Sequence, residues 1–130
     1  MGNKKLLVLI DDDSDDHEIF EMALEEIGQT FQTLHFGDCE QALSHFSIPG
    51  AEQPGFVFID INLPRISGVE CIDKLHTLHS FDHPKIVIYS SSFPRRWREK
   101  LDQIGMVDFL QKTGSLSILK QNLTALILPM

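Results

Sequence analysis

The chain is poor in cysteine, with only Cys39 and Cys71 among its 130 residues. Their spacing matches no zinc-binding pattern, and two cysteines are too few for the disulfide framework of a small secreted domain. We therefore expect two buried thiols in a reducing compartment. The scarcity of cysteine therefore argues against a cysteine-based metal site or a disulfide scaffold as the basis of the fold.

Long hydrophobic runs are also missing, since no apolar stretch approaches the roughly 20 residues that span a bilayer. The amino terminus shows no secretory pattern. These absences predict a soluble cytoplasmic protein with no membrane partner. The length fits one domain, residues 1–130, because a second core would need a longer chain.

Basic residues are few, because 11 Lys and Arg stand against 19 Asp and Glu and give a formal net charge of -8. A field of this sign repels a nucleic-acid backbone, so we expect no direct DNA binding. The composition makes no prediction about oligomeric state. It does direct attention to the acidic residues and to where they fall in the chain.

Short apolar runs alternate with segments of helical periodicity along the whole chain. The predicted strands are Leu6–Ile10, Phe31–Phe36, Phe56–Ile59, Ile86–Tyr89 and Val107–Leu110. Helices are predicted after each strand, with starts at Asp38, Ser67, Pro94 and Ser115 and a stop for the first helix at Gly28. This β-α alternation predicts an α/β fold with a doubly wound parallel sheet of five strands.

Four of the strands end in polar residues. Asp11 and Asp12 follow the first strand, Asp60 the third, Ser90 the fourth, and Lys112 comes just after the fifth. Open parallel sheets bind ligands at the carboxyl ends of their strands, so we expect these groups to meet. Asp15 and Asp16, further along the acidic run, are interpreted as solvated acids at a helix start.

Carboxylates so close together repel one another unless a positive charge lies among them. Mg²⁺ prefers oxygen ligands, and Asp12 and Asp60 would bind it directly while Asp11 would hold it through water. A carboxylate beside Mg²⁺ and Lys112 can attack a phosphorus atom and form an acyl phosphate. The Ser90 hydroxyl could donate a hydrogen bond to a phosphoryl oxygen.

These residues, together with the segment Asp60-Ile61-Asn62-Leu63-Pro64-Arg65-Ile66-Ser67-Gly68, resemble a response-regulator receiver domain of two-component signalling. The resemblance covers essentially the whole chain. It implies a (βα)5 flavodoxin-like fold with strand order 2-1-3-4-5. It also implies that the chain is a stand-alone receiver, a signalling switch rather than a classical enzyme, that catalyses only its own phosphorylation and dephosphorylation.

Carried over by position, the resemblance implies a role for each matching residue. Asp60 would be the phosphoacceptor, and Asn62 would bind Mg²⁺ by its backbone carbonyl beside Asp12 and Asp60. Ser90 and Phe109 would be the switch hydroxyl and the switch aromatic, and Lys112 the partner of the phosphoryl group. The donor would be a phosphohistidine on a sensor histidine kinase or a histidine phosphotransfer protein, and the output would pass through protein contacts.

The chain departs from the family pattern next to the lysine. Thr113 stands where the family usually has a proline in a cis peptide, and a cis bond before another residue costs about 3 kcal/mol. A trans peptide with a different loop shape is therefore favoured here. Ser91 also replaces the small apolar residue that usually follows the switch hydroxyl.

Two other functions remain open. A small phosphatase of the haloacid-dehalogenase type also places acidic residues after its first strand and would use Asp11 as the nucleophile. A pseudo-receiver would keep the fold and bind partners without being phosphorylated. Separately, Arg95, Arg96 and Arg98 form a basic cluster around Trp97 in an acidic chain, which suggests a docking surface for a partner.

Overall fold

The computed structural model describes residues 5–28, 31–78, 81, 84–92, 95, 99, 102–103 and 107–128. Its strands are β1 Lys5–Ile10, β2 Phe31–Phe36, β3 Phe56–Ile59, β4 Lys85–Ser90 and β5 Val107–Gln111. Its helices are α1 Ser14–Ile27, α2 Cys39–Phe46, α3 Gly68–Leu75 and α4 Leu116–Ile127. Of the helix predicted from Pro94, only Arg95, Glu99, Asp102 and Gln103 are described, and all four are helical. None of the described helices has the length and apolar character needed to cross a bilayer.

The five strands form one parallel sheet in the order β2-β1-β3-β4-β5, as predicted. The last residue of β1, Ile10, pairs with Phe36 of β2 on one side and with Ile59 of β3 on the other. The chain segments that follow β1 and β3 therefore begin at the same level of the sheet. The order reverses between these two strands, so the binding crevice of a doubly wound sheet is expected there.

Successive side chains of the sheet pack into two separate cores, one on each face. Leu6, Val8 and Ile10 of β1 pack with residues of α2 and α3, whereas Leu7 and Leu9 pack with residues of α1 and α4. The central strands are buried on both faces, which explains why they read as continuous apolar runs rather than as alternating ones. Because helices pack on both faces of the sheet, the register of β1 and β3 is fixed, and so are the positions of Asp11 and Asp60.

The helices begin at side chains that cap their free N–H groups. The capping residues are Asp13, Asp38, Ser67 and Ser115, and each accepts a hydrogen bond from a backbone N–H in the first turn. Gly28 ends α1 in the left-handed conformation with φ 80°, which glycine adopts without steric cost. The predicted starts at Asp38, Ser67 and Ser115 and the predicted stop at Gly28 are confirmed.

Arg65 links the loop after β3 to the start of α2. Its guanidinium donates to Asp38 Oδ2 at 2.7 Å and to the carboxylate of Glu40 at 2.9 and 3.0 Å. Arg65 has φ 64°, which a residue with a side chain rarely adopts. The contacts with α2 thus hold a left-handed turn five residues after Asp60.

We expect Asp38→Ala to lower the free energy of unfolding by about 1 kcal/mol, the usual cost of losing a helix cap. Asp38 caps α2 through Gln41 N at 2.8 Å and also accepts from Arg65. Asp38→Asn keeps the cap and removes the charge, so it should lose much less. Urea denaturation of both variants checks this, and equal losses would assign the effect to the ion pair instead.

Cys39 and Cys71 form a disulfide that joins the first turn of α2 to α3. Both residues are fully buried, so the predicted burial is confirmed, but the predicted thiol state is wrong. The sequence pattern could not reveal the bond because it depends on the packing of two helices that are separate in the chain. Their Cα atoms lie 5.7 Å apart, within the usual range for a disulfide.

Candidate functional site

Three carboxylates meet at the carboxyl ends of β1 and β3. Asp11, Asp12 and Asp60 each offer an oxygen, and these oxygens lie within 4.8 Å of one another. Asp11 is fully buried and Asp60 is 6% exposed, whereas Asp12 faces solvent. The convergence predicted from the strand ends is therefore present, with one acid open to the outside and two held inside.

Backbone hydrogen bonds that continue the sheet fix the two buried acids. The Asp11 N–H donates to Phe36 O at 3.0 Å, and the Asp60 N–H donates to Ile10 O at 2.9 Å. Asp60 Oδ1 in turn accepts from the N–H of Asn62 at 2.9 Å. The Asp60 carboxylate is thus oriented by its own loop through Oδ1, and its second oxygen, Oδ2, makes its contact outside that loop.

Lys112 closes the site from the end of β5. Its backbone N–H donates to Ser90 O at 2.9 Å, which ties the end of β5 to the end of β4. Its ammonium nitrogen lies 2.9 Å from Asp60 Oδ2, 3.0 Å from Asp11 Oδ2 and 2.7 Å from Asp16 Oδ2. The described residues contain no cis peptide, so the bond to Thr113 is trans, and the ammonium reaches Asp60 all the same.

Burial and ion pairing oppose each other in this cluster. Burial raises the pKa of Asp11 to about 7, although hydrogen bonds from Asp13 and Lys112 act in the opposite direction. Burial by itself lowers the pKa of Lys112, but contacts with Asp16, Asp60 and Asp11 outweigh it and hold that pKa above its ordinary value. The lysine is therefore charged, and the buried Asp11 gains from any further positive charge nearby.

The three carboxylates fit a hard divalent cation. Asp11 Oδ2 is buried, and its contact among the described residues is the Lys112 ammonium at 3.0 Å. Oxygen donors alone, two of them buried, match the preference of Mg²⁺ or Mn²⁺ rather than that of a softer metal. Asp12 would provide the solvent-facing ligand, which suits an ion that keeps several waters.

The remaining predicted residues occupy different surroundings. Ser90 is buried as the last residue of β4, opposite Gln111 of β5, and so lies at the same edge of the sheet as Asp60. Phe109, in the middle of β5, is 40% exposed. Arg95 is exposed and helical, whereas Arg96 and Arg98 lie outside the described residues. The docking role of the arginines therefore stays a prediction.

Two residues at the site were not predicted from the sequence. Asp16 lies in the first turn of α1 as interpreted, but it makes the shortest contact with Lys112 and is only 21% exposed, so the prediction that it is solvated is wrong. His17 Nε2 donates to the backbone oxygen of Asp11 at 2.6 Å, and burial lowers the pKa of this imidazole. The first turn of α1 thus contacts the site at the Lys112 ammonium and at the backbone of Asp11.

Comparison with known proteins agrees with this geometry. The family model described as the response regulator receiver domain matches residues 7–124. The fold is similar to that of the chemotaxis protein CheY4 of Vibrio cholerae, with a TM-score of 0.78 and 14% identity over 96% of this chain and 100% of that one. It is also similar to the phosphorylated cyanobacterial phytochrome response regulator RcpA, with a TM-score of 0.80 and 18% identity over 95% of this chain and 91% of that one.

A third similar structure is the Mn²⁺-bound form of the response regulator Rcp1, with a TM-score of 0.79 and 17% identity over 94% of this chain and 91% of that one. A comparison with curated proteins found no match. At these identities the solved structures establish the fold alone, whereas the family model covers nearly the whole chain. The chain therefore belongs to the receiver-domain family of response regulators, whose members act in phosphorylation-dependent two-component signalling.

Proposed function

We propose that the protein accepts a phosphoryl group on Asp60 from a phosphohistidine of a sensor kinase or phosphotransfer protein. The observation that carries this proposal is the meeting of Asp60 with Asp11, Asp12 and the Lys112 ammonium at one edge of the sheet. A carboxylate oxygen of Asp60 would attack the phosphorus atom. The bond between phosphorus and the imidazole nitrogen would break, and the imidazole would leave with the electron pair and take up a proton.

Mg²⁺ held by Asp12, Asp60 and the backbone carbonyl of Asn62, with Asp11 acting through water, would neutralise charge on the transferred group. The Mn²⁺-bound form of Rcp1 supports a divalent cation in a receiver of this fold. Lys112, 2.9 Å from Asp60 Oδ2, would supply a fixed positive charge to the phosphoryl oxygens. The Ser90 hydroxyl would donate a hydrogen bond to one of them.

A phosphoryl group on Asp60 adds negative charge to a buried rim, which favours a rearrangement of the residues around it. Ser90 and Phe109 would carry this change to the surface of β4 and β5. Hydrolysis would end the signal, because attack of water on phosphorus releases inorganic phosphate and restores the carboxylate. We propose further that residues 1–130 form one receiver domain, that it works in the cytoplasm, and that it signals through contacts with a partner protein.

We expect a gain of one phosphoryl group when the protein is incubated with a small phosphoramidate donor and Mg²⁺, and no gain in Asp60→Asn. Intact-mass measurement reports it, with Mg²⁺ omitted in a parallel sample. Asp73→Asn is a matched control, because it removes an exposed acid on α3 away from the site. It should accept the phosphoryl group as the wild type does.

Other outcomes would identify the alternatives. A gain that survives in Asp60→Asn but disappears in Asp11→Asn would favour the phosphatase-like reaction with Asp11 as nucleophile. No gain in a wild-type protein that still binds Mg²⁺ would indicate a pseudo-receiver. Asp11 and Asp60 are both buried and each accepts one backbone N–H, so the two variants distinguish the acceptors where burial does not.

A further inference from the structure

Asp16 shares Lys112 with the two buried acids of the site. The ammonium has three N–H donors, and three carboxylates lie around it at 2.7 to 3.0 Å. The contact with Asp16 Oδ2 is the shortest of the three. Both side chains are mostly buried, with Lys112 14% and Asp16 21% exposed, so solvent screens this pair less than an ordinary surface salt bridge.

The three partners of Lys112 differ in one respect that matters for a metal. Asp11 and Asp60 belong to the group of carboxylates that could hold a cation, together with Asp12. Asp16 does not belong to that group. A divalent cation bound there would draw on Asp11 and Asp60 and would repel the ammonium, so Lys112 would lose much of its attraction to two of its three partners.

The rest of the lysine offers little to hold the ammonium in place. The backbone is fixed through Ser90 O, but a four-carbon stem separates the backbone from the charge. The ring of Tyr89 lies 5.5 Å from the ammonium, within cation–π range, but such a contact is weaker than a charge-assisted hydrogen bond to a carboxylate. Among the described residues, Asp16 is the one carboxylate in contact with Lys112 that would not also bind the metal.

We propose that Asp16 is a positioning residue that retains the Lys112 ammonium at the site when a divalent cation occupies the Asp11, Asp12 and Asp60 cluster. This inference rests on the proposed function, because it assumes that the cluster binds such a cation. With Asp16 in place, a phosphoryl group arriving on Asp60 meets an ammonium already oriented toward it. Without Asp16, a bound cation would repel the Lys112 ammonium away from the site. The ammonium would then have to return before each phosphoryl transfer.

The test compares Asp16→Asn with Asp15→Asn. Asp15 lies one residue away in the same turn of α1, and its side chain is exposed, so its substitution changes the charge equally and leaves the shortest contact of Lys112 intact. The readout is the proton–nitrogen NMR signal of the Lys112 ammonium, assigned with Lys112→Arg and followed during titration with MgCl2. A held ammonium exchanges its protons with water slowly and stays visible.

We expect the wild type and Asp15→Asn to keep the Lys112 signal at saturating Mg²⁺. In Asp16→Asn, exchange with water should become about tenfold faster or abolish the signal, because the charge-assisted hydrogen bond to Asp16 is gone and the cation weakens the other two. Asp16→Glu should restore at least part of the protection, which a merely structural role of Asp16 would not predict. Phosphorylation by phosphoramidate should slow several-fold in Asp16→Asn relative to Asp15→Asn.

Equal exchange in Asp16→Asn and Asp15→Asn at saturating Mg²⁺ would overturn the inference while leaving the proposed function intact. The backbone amide signals of Asp12 and Asn62 report cation binding independently in the same titration. If they do not respond to Mg²⁺ in the wild type, the metal site of the proposed function fails, and the inference fails with it. The two failures are therefore distinguished by one set of spectra.

Discussion

Gly68→Ala should lower the free energy of unfolding by about 2–3 kcal/mol, a typical cost of forcing extra atoms into a packed site. A Cβ atom at residue 68 would collide with the backbone oxygen of Asp60 and lie 2.8 Å from the Cα atom of Ile61. Both are backbone atoms that cannot rotate away. The chain would have to shift at Asp60 itself, so we also expect phosphoryl acceptance to fall at least tenfold.

Gly114→Ala is the matched control. Gly114 follows Lys112 at the same edge of the sheet, yet a Cβ there would meet no atom within 4 Å, and its φ is not positive. This variant should be neutral or more stable by a few tenths of a kcal/mol, because alanine restricts the unfolded chain. Urea denaturation and intact-mass phosphorylation check both variants. If the Gly68→Ala protein were as stable and as active as Gly114→Ala, the backbone of Asp60 and Ile61 could not lie as close to residue 68 as described.

The sequence predicted most of the fold because its signals are local. The apolar runs at Leu6–Ile10 and Phe56–Ile59 are buried on both faces, as the strands of a covered parallel sheet are. Once these strands are placed as neighbours, the acids that follow them must lie together. The meeting of Asp11, Asp12 and Asp60 could therefore be predicted from the strand pattern together with the strand order that the receiver resemblance implies.

The features that the sequence did not predict depend on packing between elements that are distant in the chain. Asp16 occupies a position where acids are common for reasons of helix electrostatics, so nothing local separates it from Asp15. Only the approach of Lys112, from the end of β5, gives it a partner. The disulfide likewise requires α2 and α3 to lie side by side on one face of the sheet.

Reduction of the Cys39–Cys71 disulfide should lower the free energy of unfolding by up to about 3–4 kcal/mol, the chain-entropy value for a loop of this length. The bond joins residues 32 apart and lies fully buried within the core shared by α2 and α3. A reduced unfolded chain gains conformational freedom, whereas the native helices remain packed against the sheet. For a domain of this size the midpoint of thermal unfolding should fall by about 10 °C.

Thermal unfolding with and without a phosphine reductant measures this effect, and alkylation followed by mass measurement counts the free thiols in each sample. Cys39→Ser is the control, because it cannot form the bond and its unfolding midpoint should not respond to reductant. Two reactive thiols in denatured protein kept free of reductant, or equal midpoints for the oxidised and reduced wild type, would contradict the prediction. Because Cys39 is next to Asp38, which binds Arg65 in the loop after Asp60, the same samples should also be compared for phosphoryl acceptance.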